Sequence, residues 1–217
     1  MPYFIRITIQ KMAYDGFKEI GIDDSVTLVR CAYTGSQKFG ALVWSGDVFS
    51  TFESLSEQVK AGLNMSMCGI PWWNTDIGGF FGGDTQSEEF RELIVRWFQY
   101  GVFSPVMRLH GNRNRHGEKS NLKEPSGDPN ELWSFGERIF GNTEKACFFL
   151  RERLRPYIEH YMKIASEKGY PVMRPMFFDF PDDKECYTLG EQYMFGDDIL
   201  FAPIVNRGQT KKISLPS

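Results

Sequence analysis

The chain has 217 residues, room for one large domain or a domain and a half. Its formal net charge of −3 gives no broad basic field for nucleic acid, and its 41% hydrophobic content supports a core. No stretch approaches the roughly 20 apolar residues of a membrane span, so neither nucleic acid nor membrane is expected as a partner. Aromatic residues make up 15%, a density that fits a sugar site but on count alone favours a packed interior. The N-terminal MPYFIRITIQK has no basic region followed by a signal-length apolar run. The cysteines at 31, 68, 147 and 186 form no CxxC pair. Both observations fit a reduced, cytoplasmic protein.

In chain order, residues 12–20 read as the end of a helix closed by Gly21. Strands are predicted at 25–30 (SVTLVR), at 41–44, within 65–73 (MSMCGIPWW) and over 102–109 (VFSPVMRL). Short apolar runs bounded by glycine and polar residues suit strands covered on both faces. Between them, residues 50–61 carry Phe52, Leu55 and Val59 at helical spacing, with Ser50 or Thr51 as cap and Gly62 as stop. Residues 87–100 repeat the pattern with Phe90, Leu93, Ile94, Trp97 and Phe98, from Ser87 to a stop at Gly101. The alternation predicts a (β/α) barrel or an open α/β sheet. The first two strands are joined only by residues 31–40, too short for a helical crossover, so an irregular connection is expected there.

Residues 112–130 read as a polar loop, in which Arg113, Arg115 and Lys119 form a solvated basic cluster. A long helix is predicted over 143–168, kinked or restarted at Pro156 and stopped by Gly169. From 170 the texture changes: PVMRPMFFDF, EQYMFGDDILFAPIV and KKISLP read as strands joined by turns at PDD and NRG. Residues 170–217 are therefore read as the opening of an all-β domain.

Two acids stand out. Asp47 closes the run Trp44-Ser45-Gly46-Asp47, and Asp76 lies in Asn74-Thr75-Asp76-Ile77-Gly78-Gly79-Phe80. Carboxylates are seldom buried unless paired, whereas sugar cleavage needs carboxylates at a pocket rim and aromatic faces for the ring. Asp47 also reads as a cap for the helix near Ser50, and Asp76 as a turn acid. GGFFGGD at 78–84 fits no phosphate loop. His110, His116 and Glu118 match no usual metal spacing, so no metal is expected.

In their order along the chain, LVRCAYTGSQKFGALVWSGD, GIPWWNTDIGGF, PVMRLHG, LRPYIEHYMKIASEKGYPVMRPMFFDFPDD and EQYMFGDDILFAPIV resemble the family 31 glycoside hydrolases, retaining α-glucosidases and α-xylosidases. The resemblance implies an α/β fold class. Residues 1–169 would be the second half of a TIM (β/α)8 barrel, about strands five to eight, and residues 170–217 the start of the proximal β-sandwich domain. It implies Asp47 as general acid/base, Asp76, Arg30 and His110 as contacts to the sugar ring, and Trp44, Trp73 and Phe80 as walls or stacking faces. Arg30 would hold a carboxylate and a hydroxyl in its fork, and His110 would pair with Asp76. The acid's proton would be held by apolar walls such as Trp44 and Phe49, or by the nucleophile's charge. No cofactor is implied, and the partner would be a carbohydrate. The family's nucleophile, an aspartate in a Lys-x-Asp-x-x-Glu motif, has no counterpart here. The chain therefore reads as part of a larger enzyme cleaving terminal α-linked glucose or xylose. The alternative is an incomplete piece that binds sugar, forms a homo-oligomer or is completed by a separate chain.

Overall fold

The computed structural model describes residues 2–114, 127–141, 145–208 and 210–216. The elements run α1 (Pro2–Glu19), β1 (Thr27–Val29), β2 (Ala41–Trp44), α2 (Phe52–Met67), β3 (Trp73–Asn74), β4 (Asp76–Ile77), β5 (Phe81–Asp84), α3 (Glu88–Val102), β6 (Arg108–Leu109) and β7 (Asn112–Asn114). They continue as α4 (Glu137–Ile139), α5 (Lys145–Lys168), β8 (Met173–Pro175), α6 (Met176–Asp179), β9 (Tyr193–Phe195) and β10 (Ile199–Phe201).

Strand β1 pairs in parallel with β2, β2 with β3, and β4 with β6. Strands β3 and β4 are one extended segment interrupted at Thr75, paired on one side with β2 and on the other with β6. Four parallel strand segments alternating with helices make a section of TIM barrel, and a small antiparallel sheet, β8-β9-β10, follows it. The connection from β1 to β2 is irregular, as its length requires, with one 3-10 turn at Ser36–Phe39.

The two helices flanking the sheet begin where their caps place them. The Thr51 hydroxyl accepts from the Ser54 N–H, and the Ser87 hydroxyl from the Phe90 N–H. Neither stops at the glycine expected to end it. Gly62 lies inside α2, where a Cβ would come within 2.7 Å of Trp73 Nε1 and 3.0 Å of the Tyr100 hydroxyl. Gly101 lies inside α3 against Ile77. Both glycines serve close packing, whereas Gly21 and Gly169 sit at φ +81° and +77° and end their helices. The longer helices leave less strand than expected: residues 65–67 are helical, the third strand begins at Trp73, and the fourth is confined to Arg108–Leu109.

Within the expected polar loop, β7 pairs in parallel with β5, and Arg113 forms a bridge with Asp128. Helix α5 runs unbroken through Pro156, which faces solvent. In the C-terminal part, PVMRPMFFDF is a strand only as far as Pro175 and then turns into α6, and KKISLP forms no strand. One apolar cluster joins the two parts: Leu55, Trp97 and Phe98 from the barrel helices pack with Met173, Tyr193, Phe195 and Val205. The Tyr193 hydroxyl donates to the Phe103 carbonyl at 2.7 Å, and the rings of Phe103 and Phe201 stack at 4.2 Å.

Candidate active site

The C-terminal ends of the parallel strands carry the polar groups, as barrel sites do. Arg30 follows β1, Asp47 follows β2, Asp76 opens β4, and His110 follows β6. Alternation along the extended segment decides which side chains face the helices. Trp73 and Ile77 do so and are buried. Trp73 is 4% exposed and packs with Val43, Ile70 and Gly62 of α2. It belongs to the helix-facing core, which corrects its expected role as a sugar wall. Trp44 is half-buried, on the opposite face of β2 from the core residues Ala41 and Val43. Its indole N–H has no partner.

Asp47 is not a helix cap, because Thr51 fills that position. Its Oδ2 lies 3.4 Å from Arg30 Nη1, with the side chain about a quarter exposed at 28%. Arg30, its side chain mostly exposed, thus stands within ion-pair range of Asp47. Phe49, expected to wall this acid, is mostly exposed, with its ring 6.2 Å from that of Phe81.

Asp76 is fully buried, and its Oδ1 accepts from Arg108 Nη2. Arg108, rather than His110, is its partner. His110 is exposed and sits with its ring centroid 5.3 Å from that of Phe80. Burial raises the Asp76 carboxyl above the usual carboxylate range, against the pull of the Arg108 and His110 charges. The second oxygen, Oδ2, is buried without a hydrogen-bond partner, as is Arg108 Nε. Buried acceptors are nearly always satisfied, so this oxygen is an open valence for a hydroxyl donor.

Two residues of the site were missed in the sequence. Arg108 could have been found as a cation placed inside an otherwise apolar run, two positions before His110. Arg113, read as solvated, is in fact 1% exposed and bonded to the loops around the site. Residues Arg115, His116, Glu118 and Lys119 lie outside the described residues. Among the described residues no group of His, Cys, Asp and Glu is placed to hold a metal, and no helix is long and apolar enough to cross a membrane.

Comparison with known families decides what this arrangement belongs to. The model of the glycosyl hydrolases family 31 TIM-barrel domain matches residues 4–161, and that of the family 31 C-terminal domain matches residues 169–217. The chain belongs to glycosyl hydrolase family 31. An alpha-xylosidase of Saccharolobus solfataricus is 38% identical over 208 residues, 95% of this chain and 26% of the relative. A family 31 alpha-xylosidase from a soil metagenome, solved with xylose, superposes with a TM-score of 0.86 at 50% identity, covering 95% of this chain and 31% of the other. A xylosidase from Aspergillus niger superposes at 0.83 with 31% identity, over 93% of this chain and 30% of the other. The chain thus spans about a quarter to a third of each of these three relatives.

Proposed function

We propose that these residues are the acid-bearing section of a retaining α-glycosidase that removes terminal α-linked xylose or glucose. The observation that carries this reading is the pair Asp47 and Asp76 at neighbouring strand ends, with the buried Oδ2 of Asp76 left open for a sugar hydroxyl. In this reading Asp47 gives its proton to the glycosidic oxygen as that bond to the anomeric carbon breaks. A carboxylate from outside these residues, about 5–5.5 Å across, forms the new bond to that carbon. Water then attacks the anomeric carbon, Asp47 takes the water's proton, and the carboxylate is released. Asp76 accepts from a ring hydroxyl, His110 donates to another, and the unpartnered Trp44 N–H supplies a further donor toward the sugar. Arg30 holds Asp47 in place at 3.4 Å. The xylose in the relative at 50% identity supports a xyloside as the better substrate.

The test mixes this chain with the separately produced upstream portion of the Saccharolobus alpha-xylosidase and follows hydrolysis of nitrophenyl α-xyloside and α-glucoside. Activity should appear on mixing and fall about 10²–10⁴-fold with Asp47→Asn. A folded mixture in which Asp47→Asn hydrolyses as fast as the parent would sink the assignment.

A further inference from the structure

Arg113 sits in the middle of β7, and among the described residues the hydrogen bonds of its side chain go to neutral acceptors. Its Nε donates to Asn130 Oδ1 at 2.6 Å. Its Nη1 donates to Ser50 Oγ at 2.9 Å and reaches the carbonyls of Gly78 and Gly82 at 3.3 Å. Its Nη2 reaches the carbonyls of Ile77 at 3.3 Å and His110 at 3.5 Å. The Phe90 ring lies 4.8 Å from Cζ. The acceptors come from four segments, Asn130 and three that adjoin the site. Ser50 follows Asp47 by three positions, residues 77–82 bracket Phe80 and adjoin Asp76, and His110 is itself a predicted sugar contact.

Such a buried cation is costly, and an apolar side chain would pack a mere core position at least as well. Burial pulls the guanidinium down and the charge of Asp76 partly opposes it, leaving it lowered to about 9. What an apolar side chain cannot supply is a rigid plane of five N–H donors, and a lysine supplies only a mobile point charge with three. The loops close directly on that plane. A Cβ on Gly111, at φ +156°, would fall 2.5 Å from Nη2, and one on Gly78, at φ +88°, 3.0 Å from it.

We propose that Arg113 is a positioning residue whose guanidinium locks together the three loops carrying Asp47, Asp76 with Phe80, and His110, and so sets the acid against the sugar. The consequence for catalysis rests on the glycosidase reading above; the locking of the loops does not. The experiment therefore has two parts.

In the chain itself, hydrogen–deuterium exchange is compared for the parent, Arg113→Lys and Ser50→Ala. The lysine variant should speed exchange about ten-fold or more at 46–51, 78–82 and 110–112 together, leaving 173–201 unchanged. Ser50→Ala, which removes one acceptor and leaves the guanidinium in place, should loosen 46–51 alone. Exchange faster everywhere, or only next to residue 113, would overturn the proposal.

In the mixture with that upstream portion, kcat is measured on an alkyl glycoside, whose leaving group needs the acid, and on a nitrophenyl glycoside, which needs it less. Arg113→Lys should cost about ten-fold more on the alkyl substrate than on the nitrophenyl one. Equal losses on both would mean that Arg113 only holds the fold and would overturn its positioning role. Should the parent mixture hydrolyse neither, the glycosidase reading falls, and the exchange result still decides whether Arg113 locks the loops.

Discussion

Two arginine–aspartate pairs in this molecule, each with one partner buried, are built to different specifications. In the C-terminal sheet, Arg174 Nε donates to both oxygens of Asp179 at 2.9 and 3.1 Å, and Nη2 donates to Asp197 at 2.8 Å and to the Gly196 carbonyl at 2.9 Å. At the strand ends, Arg108 reaches a single oxygen of Asp76, and Oδ2 and the arginine Nε are left buried without partners. The first pair is saturated and holds structure. The second retains unspent hydrogen-bonding capacity in a dry environment, where an unpartnered polar atom is costly unless something arrives to use it. Between these two pairs, it is the satisfaction of the polar atoms that differs.

The largest expected effect breaks the saturated pair. Arg174→Met strands Asp179 and the Gly196 carbonyl and should cost about 2–3 kcal/mol in denaturant unfolding. Sugar affinity of the molecules that remain folded should not change. A loss of affinity would mean that the two regions are not separate in role.

Asp76→Asn attacks the unsaturated pair and should do the reverse. An amide oxygen still accepts from Arg108, so stability should shift by about 1 kcal/mol or less, while xylose binding followed by calorimetry should weaken about ten-fold or more. The same variant has a pH signature. The folded Asp76 carboxyl holds its proton more tightly than the unfolded one, so its contribution to stability is present at low pH and declines as pH rises through its raised value. That decline should vanish in Asp76→Asn.

The smallest effect is at Glu191, which lies against Lys211 at 2.9 Å, Lys60 at 3.3 Å and Ser56 at 2.5 Å, between α2 and the C-terminal segment. Its burial opposes ionisation, and these partners outweigh it, leaving the carboxyl below its ordinary value of 4.5. The sign is opposite to that of Asp76: the contribution is complete above pH 4.5 and lost as pH falls through the lower folded value. Glu191→Gln should flatten the acid limb of the stability curve by under about 1 kcal/mol. Opposite pH slopes from Asp76 and Glu191 would confirm that one is held against ionisation and the other toward it.

Much of this could be read from residues alone. The strand ends at Trp44 and the acids Asp47 and Asp76 sit in local patterns whose punctuation survives folding, and the alternation of strand and helix gave the barrel class. What failed was punctuation with two meanings. Gly62 and Gly101 look like helix stops, yet each was selected by a neighbour, Trp73 or Ile77, distant in sequence. Trp73 beside Trp72 looks like a sugar platform, and only the register of the strand sends it toward α2. Arg113 sits among polar residues that read as solvated, and its burial depends on loops up to 63 positions away. Helix α6 follows a segment whose apolar residues suit either state, so tertiary packing decided it.

The core that runs from Leu55 through Trp97 and Phe103 to Tyr193 and Val205 has a practical corollary for building chimeras. The two family models meet between residues 161 and 169, which looks like a natural splice point. A graft joined there would separate Tyr157 from the Phe195 carbonyl it bonds at 3.0 Å, and Phe103 from the ring of Phe201 it stacks on. Parts exchanged among relatives would travel best as one block spanning 52–205, with the sheet kept together with the helices that were shaped against it.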